Sequence, residues 1–227
     1  AIISYGGRLG YDIERKDPNY VDAGDTANTE VSIYDYGDKS IVFETRGLDV
    51  SESMGKEVAT FFGDGKGNKI GVIFYGEDGY LAQTRYDYCR VFDKEMNLTK
   101  EFKARNVGDA HFANFIDAVR AGDASRLTAS IEDGHLSSAY CHLGILSHRL
   151  GIPATPDEVA KAIRHQPEAL EAWDRMRAHL TANEIDLATN PVMLGRTLEV
   201  DPTGETVVGD PGATAMLARA ARPPFTF

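Results

Sequence analysis

Alternating apolar and polar positions dominate the first hundred residues and predict β-strands. In residues 29–36, Val31 and Ile33 lie on one side of the predicted strand, and the even-numbered side chains lie on the other. That even-numbered side carries Glu30, Ser32 and Tyr34. Polar or glycine-rich turns separate the predicted strands, which are residues 1–9, 29–36, 41–46, 57–62, 70–75, 80–85, 88–92 and 98–102. We expect antiparallel strands, because parallel ones need long crossovers.

A helical period replaces the alternation after residue 108. Asp109 is placed to cap the first helix and Gly122 to end it. The apolar side chains of this helix, three and four residues apart, are Phe112, Phe115, Ile116 and Val119. A second helix is predicted over residues 130–150. Its small residues, which would let another backbone come close, are Ser137, Ser138 and Gly144.

The last third of the chain predicts two more helices and a late hairpin. Residues 155–158, Thr-Pro-Asp-Glu, form a capping box that opens a short helix ending near Arg164, and Pro167 opens the next helix. A type I turn at residues 201–204 joins the two strands of the hairpin. The remaining elements are a short helix near residues 212–220 and an extended tail over residues 222–227.

Strands that precede helices indicate an α+β protein and not a doubly wound nucleotide-binding fold. We predict an open, mostly antiparallel sheet of about six strands that packs on helices, with no Rossmann domain in this chain. Residues 1–227 are predicted to form one domain, with mainly strands in 1–107, mainly helices in 108–190, and a hairpin and tail in 191–227. Residues 10–28 are predicted to form a long polar loop.

Composition and charge argue against several classes of partner. The 227 residues carry a formal net charge of −11, and a field of that sign repels nucleic acid and anionic membranes. No run approaches the roughly 20 apolar residues of a membrane-spanning helix. Cys89 and Cys141 lie in periodic apolar segments, which favours two reduced, buried thiols. The cellular compartment stays open.

The sequence lacks the usual catalytic and cofactor motifs. The glycine clusters at residues 6–10 and 63–69 lack the spacing and the following helix of a phosphate-binding loop. His135, His142 and His148 share one predicted helix. The first two are about 10 Å apart along it, which is too far for one metal ion. We therefore predict no catalytic, cofactor-binding or metal-binding residue in this chain.

Arginine, amide, hydroxyl, aromatic and imidazole groups form the candidate substrate site. Such groups are the hydrogen-bond partners that a sugar or an acid requires. The candidates are Arg8, Tyr11, Asn28, Thr29, Arg46 and His111. The alternative is that these side chains anchor loops and do not contact a substrate.

A series of motifs in one order along the chain resembles the C-terminal domain of Gfo/Idh/MocA-type oxidoreductases. The first motif joins residues 5–11, YGGRLGY, to residues 24–29, GDTANT, where Leu9 and Ala27 replace the usual Phe and Pro. The other matching segments are 41–48 (IVFETRGL), 71–80 (GVIFYGEDGY), 111–120 (HFANFIDAVR), 134–144 (GHLSSAYCHLG), 195–200, 209–210 and 222–223. The resemblance spans essentially the whole chain.

The resemblance implies a two-domain enzyme of which this chain is the C-terminal part. In such enzymes an N-terminal Rossmann domain binds NAD(P), and the α+β domain contributes substrate contacts and the oligomer interface. The implied substrate is a sugar, an inositol or a related polyol. The family's glycine-rich loop, E-K-P lysine and D-x-x-x-H pair belong to the missing half, because no histidine here follows an aspartate by four residues. No catalytic residue is carried over, and NAD(P) is implied only for the full-length enzyme.

Two alternatives stand beside this interpretation. One is a stand-alone, non-catalytic binding or assembly domain, and the other is the same domain of a relative that cleaves glycosides with the help of NAD. We also expect a homo-oligomer, because large exposed apolar patches mark interfaces. The predicted open sheet face carries Val31, Ile33, Ile41, Phe43, Phe74 and Tyr75.

Overall fold

Seven antiparallel strands precede the first described helix, as the strands-then-helices pattern of the sequence predicts. The computed structural model describes residues 1–11, 19, 21–50, 70–105, 107–219 and 221–224. In these ranges the strands are β1 Ile2–Gly7, β2 Thr29–Asp35, β3 Ser40–Arg46, β4 Val72–Gly76, β5 Gly79–Arg85, β6 Tyr88–Phe92, β7 Leu98–Lys103, β8 Ile152–Ala154, β9 Val192–Leu194, β10 Val200–Asp201 and β11 Thr206–Val207. The helices are α1 Val107–Ala121, α2 Ile131–Arg149, α3 Pro156–Ile163, α4 Pro167–Ala182 and α5 Pro211–Ala215, with a 3-10 turn at Ala124–Arg126. The α+β class with antiparallel sheets is confirmed.

The described chain divides into two compact units. The first comprises Ala1–Ser53 and Leu136–Phe227, and the second comprises Met54–His135. The strands form a five-stranded sheet, a four-stranded sheet and a two-stranded hairpin, where a single open sheet of about six strands was expected. That residues 1–227 form one domain stays a prediction.

The five-stranded sheet of the first unit has the order β3-β2-β1-β9-β8. Its centre is β1, which pairs with β2 over six residues and with β9 through Tyr5 opposite Leu194. The sequence pattern did not predict β8 and β9, because a strand of three residues is too short to show alternation. They form because β1 supplies backbone hydrogen-bond partners to β9, and β9 in turn supplies them to β8.

One face of this sheet packs against α3 and α4 and forms the main core of the unit. Tyr5, Val31 and Trp173 are almost completely buried there, and the Tyr5 and Trp173 rings meet edge to face at 5.4 Å. The Tyr5 hydroxyl donates to the Ala169 carbonyl oxygen at 3.0 Å, so its burial leaves no unpaired donor. Val31 and Ile33 therefore cover this core, and the expectation that they belong to an exposed sheet face is wrong.

The opposite face of the same sheet packs against the C-terminal half of α2. A Cβ placed on Gly144 would lie 2.6 Å from the Ser32 hydroxyl oxygen, so the close approach predicted at Gly144 is confirmed. Ser147 accepts a hydrogen bond from the Ser4 amide at 3.0 Å. Ser137 and Ser138, which were expected to share this role, are exposed.

The second unit contains the meander β4-β5-β6-β7 and helix α1. Adjacent residues of a strand point to opposite faces, so Phe74 and Tyr75 do not share the one face expected of them. Helix α1 begins at Val107, two residues before the predicted cap Asp109, and ends before Gly122, whose φ is 62°. The predicted apolar stripe of α1 is exposed, at 69% for Phe112 and 62% for Val119.

The remaining elements largely follow the prediction. Thr155 and Glu158 form the capping box of α3, and a β10–β11 hairpin follows α4. Helix α5 is shorter than the predicted helix at residues 212–220. Cys89 is half-buried and Cys141 is exposed, so the prediction of two buried thiols is wrong, and both thiols are free. The predicted strand at 57–62, the turn at 63–69 and residues 225–227 of the tail lie outside the described residues.

Candidate functional site

A cavity of about 220 Å³ lies in the first unit, between the sheet and α2. Its floor is the face of β2 and β3 that carries Glu30, Ser32 and Thr45, and helix α2 forms the wall. The segment before β2 forms the rim. The complete lining is Asp25, Thr26, Ala27, Glu30, Ser32, Tyr34, Phe43, Thr45, Cys141, Ile145, His148 and Arg149.

Two local features open this cavity to polar side chains. The alternation of β2 turns Glu30, Ser32 and Tyr34 to one side, as the sequence predicts. Gly144 then brings α2 against β2, where the Tyr34 hydroxyl donates to the Tyr140 carbonyl oxygen at 2.5 Å. The chain is therefore close-packed at one end of the α2–sheet contact and leaves a space beside it.

Glu30 is the carboxyl group on the cavity floor. It lies opposite Thr45 of β3 in the strand register, and its Oε1 accepts a hydrogen bond from the Ser32 hydroxyl at 3.1 Å. Burial raises the pKa of the Glu30 carboxyl, while the nearby His148 and hydrogen bonds from Ser32 and Ser4 lower it. Desolvation is the largest of these effects, so the site favours the neutral acid more than water does.

His148 places an imidazole on the cavity wall. Its Nε2 is buried and makes no hydrogen bond to the part of the chain that the structure describes. Cys141 also lines the cavity, but it lies seven residues earlier on α2, about 10 Å away along the helix axis. A Cys–His nucleophile pair needs direct hydrogen-bond contact, so this spacing does not support one. The buried Nε2 is instead a polar atom beside the cavity that lacks a hydrogen-bond partner among the described residues.

The cavity rim is held by two arginines. Arg149 pairs with Asp25 at 3.4 Å, and both side chains are substantially exposed. Arg8 forms an ion pair with Asp22, with Nη2 at 2.6 Å from Oδ1, and donates from Nη1 to the Thr26 carbonyl oxygen at 3.1 Å. Arg8 therefore positions Thr26, which lines the cavity.

The six predicted site residues lie outside the described cavity lining. The Arg8 guanidinium stacks over the Tyr11 ring at 4.3 Å, and the Asn28 side-chain amide bonds both the amide and the carbonyl of Leu9. Thr29 and Arg46 are cross-strand partners on the face opposite the cavity. Arg46 binds Glu44 at 2.6 Å, and His111 lies in the second unit.

These contacts fit the anchoring alternative for Arg8, Asn28 and Arg46, whereas a direct substrate role for the six stays a prediction. Sequence reasoning missed Glu30 and His148 as a pair. The alternation of β2 located Glu30 on a polar strand face, and the helical period located His148 on α2. No pattern in the sequence indicated that α2 packs on that face of the sheet.

The described residues contain neither a candidate metal site nor a candidate membrane-spanning helix. No group of three or more His, Cys, Asp and Glu side chains there is arranged to hold a metal ion. None of the helices in these ranges combines the length and the apolar character that a membrane crossing requires. In comparisons with known proteins, no protein-family model, no curated protein and no solved structure matches this chain.

Proposed function

We propose that this chain is the substrate-binding and oligomerisation domain of an NAD(P)-dependent oxidoreductase that acts on a sugar, an inositol or a related polyol. The observation that carries the proposal is the cavity of the first unit, which combines carboxyl, imidazole and hydroxyl groups with aromatic rings. The resemblance of the sequence motifs to Gfo/Idh/MocA-type enzymes supports the reaction class.

The chemistry of the cavity suits a polyol. A polyol presents several hydroxyl groups, each able to donate and accept, on a framework with apolar C–H faces. Glu30, Ser32 and His148 supply polar partners, and the rings of Tyr34 and Phe43 supply apolar surface in the same lining. Small-molecule sites generally have this combination of apolar walls and a few placed polar groups.

In this proposal the NAD(P) site and the catalytic residues belong to a Rossmann domain outside the chain. The chain therefore binds a polyol and does not bind NAD(P)H. Saturation-transfer NMR with a panel of neutral hexoses, hexitols and myo-inositol tests the first statement, and fluorescence titration with NADH and NADPH tests the second. Absence of polyol binding, or micromolar binding of NAD(P)H, would contradict the proposal. A gene without Rossmann-coding sequence upstream of Ala1 would contradict its enzymatic part.

The assembly role rests on exposed apolar side chains in the second unit. By strand register, Val72, Phe74 and Phe102 lie on one face of the meander, and they are 50%, 58% and 46% exposed. Exposed apolar groups collected on one face are typical of interfaces. We expect a dimer or tetramer in sedimentation velocity, and a cleanly monomeric profile at high protein concentration would exclude this role.

A further inference from the structure

The charges at the cavity are mostly neutralised by one another. Arg149, the guanidinium group in the described lining, pairs with Asp25 at 3.4 Å. Arg8 beside the rim is engaged by Asp22 and by the Thr26 carbonyl oxygen. Glu30 lies on the cavity floor near the His148 imidazole, and its carboxyl oxygen accepts a hydrogen bond from the Ser32 hydroxyl. Apart from Arg149, which is paired with Asp25, the polar side chains in the described lining are acidic or neutral.

We propose that this cavity binds a single neutral polyhydroxyl ring through Glu30 and His148, and that it rejects phosphorylated and carboxylated compounds of the same skeleton. The inference rests on the proposed function for the polyol class. It adds the binding residues and the charge of the ligand.

Electrostatics explains the rejection of anions. Binding of a phosphate or carboxylate requires charge-assisted donors, usually arginine forks or lysines. Here an anion would compete with Asp25 for Arg149 and would approach the Glu30 carboxyl group. The net charge of −11 adds a repulsive long-range field.

Hydrogen bonding and size explain the preference for a neutral ring. A ligand hydroxyl satisfies the buried Nε2 of His148, whose lack of a partner otherwise carries a desolvation cost. A second ligand hydroxyl reaches Glu30. The Glu30 carboxylate accepts a hydrogen bond from this hydroxyl, and the neutral acid donates one to it. The cavity of about 220 Å³ is smaller than a typical drug-sized site, so it limits the ligand to one small ring.

Isothermal titration calorimetry on the full chain at pH 7 tests the inference with matched pairs of probes. The pairs are myo-inositol with inositol 1-phosphate, glucose with glucose 6-phosphate, and glucose with glucuronate. We expect each neutral compound that binds to do so on the order of tenfold more tightly than its charged partner. Equal or tighter binding of the charged partners would overturn the inference and leave the proposed function standing.

Variants of the cavity locate the binding site. Glu30→Gln and His148→Leu are each expected to weaken binding of the neutral probe on the order of tenfold. Glu199→Gln, an exposed glutamate in the same unit, is the charge-matched control and should bind like the parent. Circular dichroism and thermal melting establish that each variant is folded. Folded Glu30→Gln and His148→Leu proteins with parental affinity would place the ligand elsewhere and overturn the inference.

A gain of binding provides an independent test. Asp25→Asn releases Arg149 from its carboxylate partner, so the charged probes should gain about threefold relative to the neutral ones, as expected for an exposed ion pair. An unchanged ratio would contradict the role assigned to the Asp25–Arg149 pair. If no probe of either charge binds the parent chain, the proposed function fails together with the inference.

Discussion

The two faces of the five-stranded sheet differ although the same strands build both. On one face, Tyr5, Val31 and Trp173 form a dry core under α3 and α4. On the other, Ser4 and Ser32 form a polar, close contact with Gly144 of α2, and a cavity opens beside it. The comparison shows that strand alternation separates the side chains, whereas the residue types on the covering helix decide whether a face becomes core or site.

Removing the central aromatic ring of the core face should have the largest effect. Trp173→Ala deletes a side chain that is 1% exposed and packs edge to face on Tyr5, so it should lower the free energy of unfolding by about 4 kcal/mol. Urea denaturation measures the loss. Glu171→Ala on the exposed side of α4 is the control and should change stability by less than about 0.5 kcal/mol.

Adding a side chain at the close contact between α2 and the sheet should have the next largest effect on stability. Gly144→Val places new atoms against the Ser32 and Tyr34 hydroxyl oxygens, which a Cβ alone would approach to 2.6 and 2.9 Å. We expect a loss of about 2–3 kcal/mol and loss of polyol binding, because α2 must move away from the sheet. Gly134→Val on the same helix has no atom within 4 Å of its Cβ and serves as the control. Equal effects of the two substitutions would refute the close-packing argument.

Acid should weaken the core face through His179. Burial, and then the charge of Arg46, lower the pKa of His179 to about 4, below its unfolded value near 6.5. The unfolded chain therefore binds more protons between these values, so this contribution is present above pH 6.5 and is lost as the pH falls toward 4. The loss should reach about 2 kcal/mol at pH 4.5. Urea midpoints at several pH values should show it, and His179→Asn should flatten that part of the profile.

A single hydroxyl on the site face should have the smallest effect. Tyr34→Phe removes the donor to the Tyr140 carbonyl oxygen and should cost about 1 kcal/mol. The paired control is Tyr36→Phe, which removes an exposed hydroxyl that also contacts Tyr140, and it should have almost no effect. A comparison of the two thermal midpoints separates a buried hydrogen bond from an exposed one. Identical midpoints would mean that burial does not strengthen the Tyr34 bond.

Much of the fold could be predicted because its signals are local. Alternation at residues 29–36, the capping box at Thr155 and the glycine at position 122 act through neighbours in the sequence. The short strands β8 and β9 could not be predicted, because their backbone partners lie up to 189 residues away in the chain, as Tyr5 does from Leu194. The exposure of Cys141 was missed for the same reason, since the packing of α2 decides it.

For the candidate site, sequence reasoning identified the residue types and missed their arrangement. Arg8 and Asn28 have the groups expected of a binding site, but they hold the segment before β2 through Thr26 and Leu9. Glu30 and His148 carry no motif and are 118 positions apart in the chain, and they line one cavity because α2 covers β2.

By itself the sequence determined the class of the fold, the longer helix and strand segments whose apolar residues recur periodically, and which side chains of β2 share a face. Periodicity and capping are properties of neighbouring residues, so they are visible in the chain alone. The tertiary structure alone decided which face of the sheet became the core and which became the cavity. That choice depends on which helix residue packs against the strands, Trp173 on one face and Gly144 on the other. Only long-range packing brings those residues to the sheet.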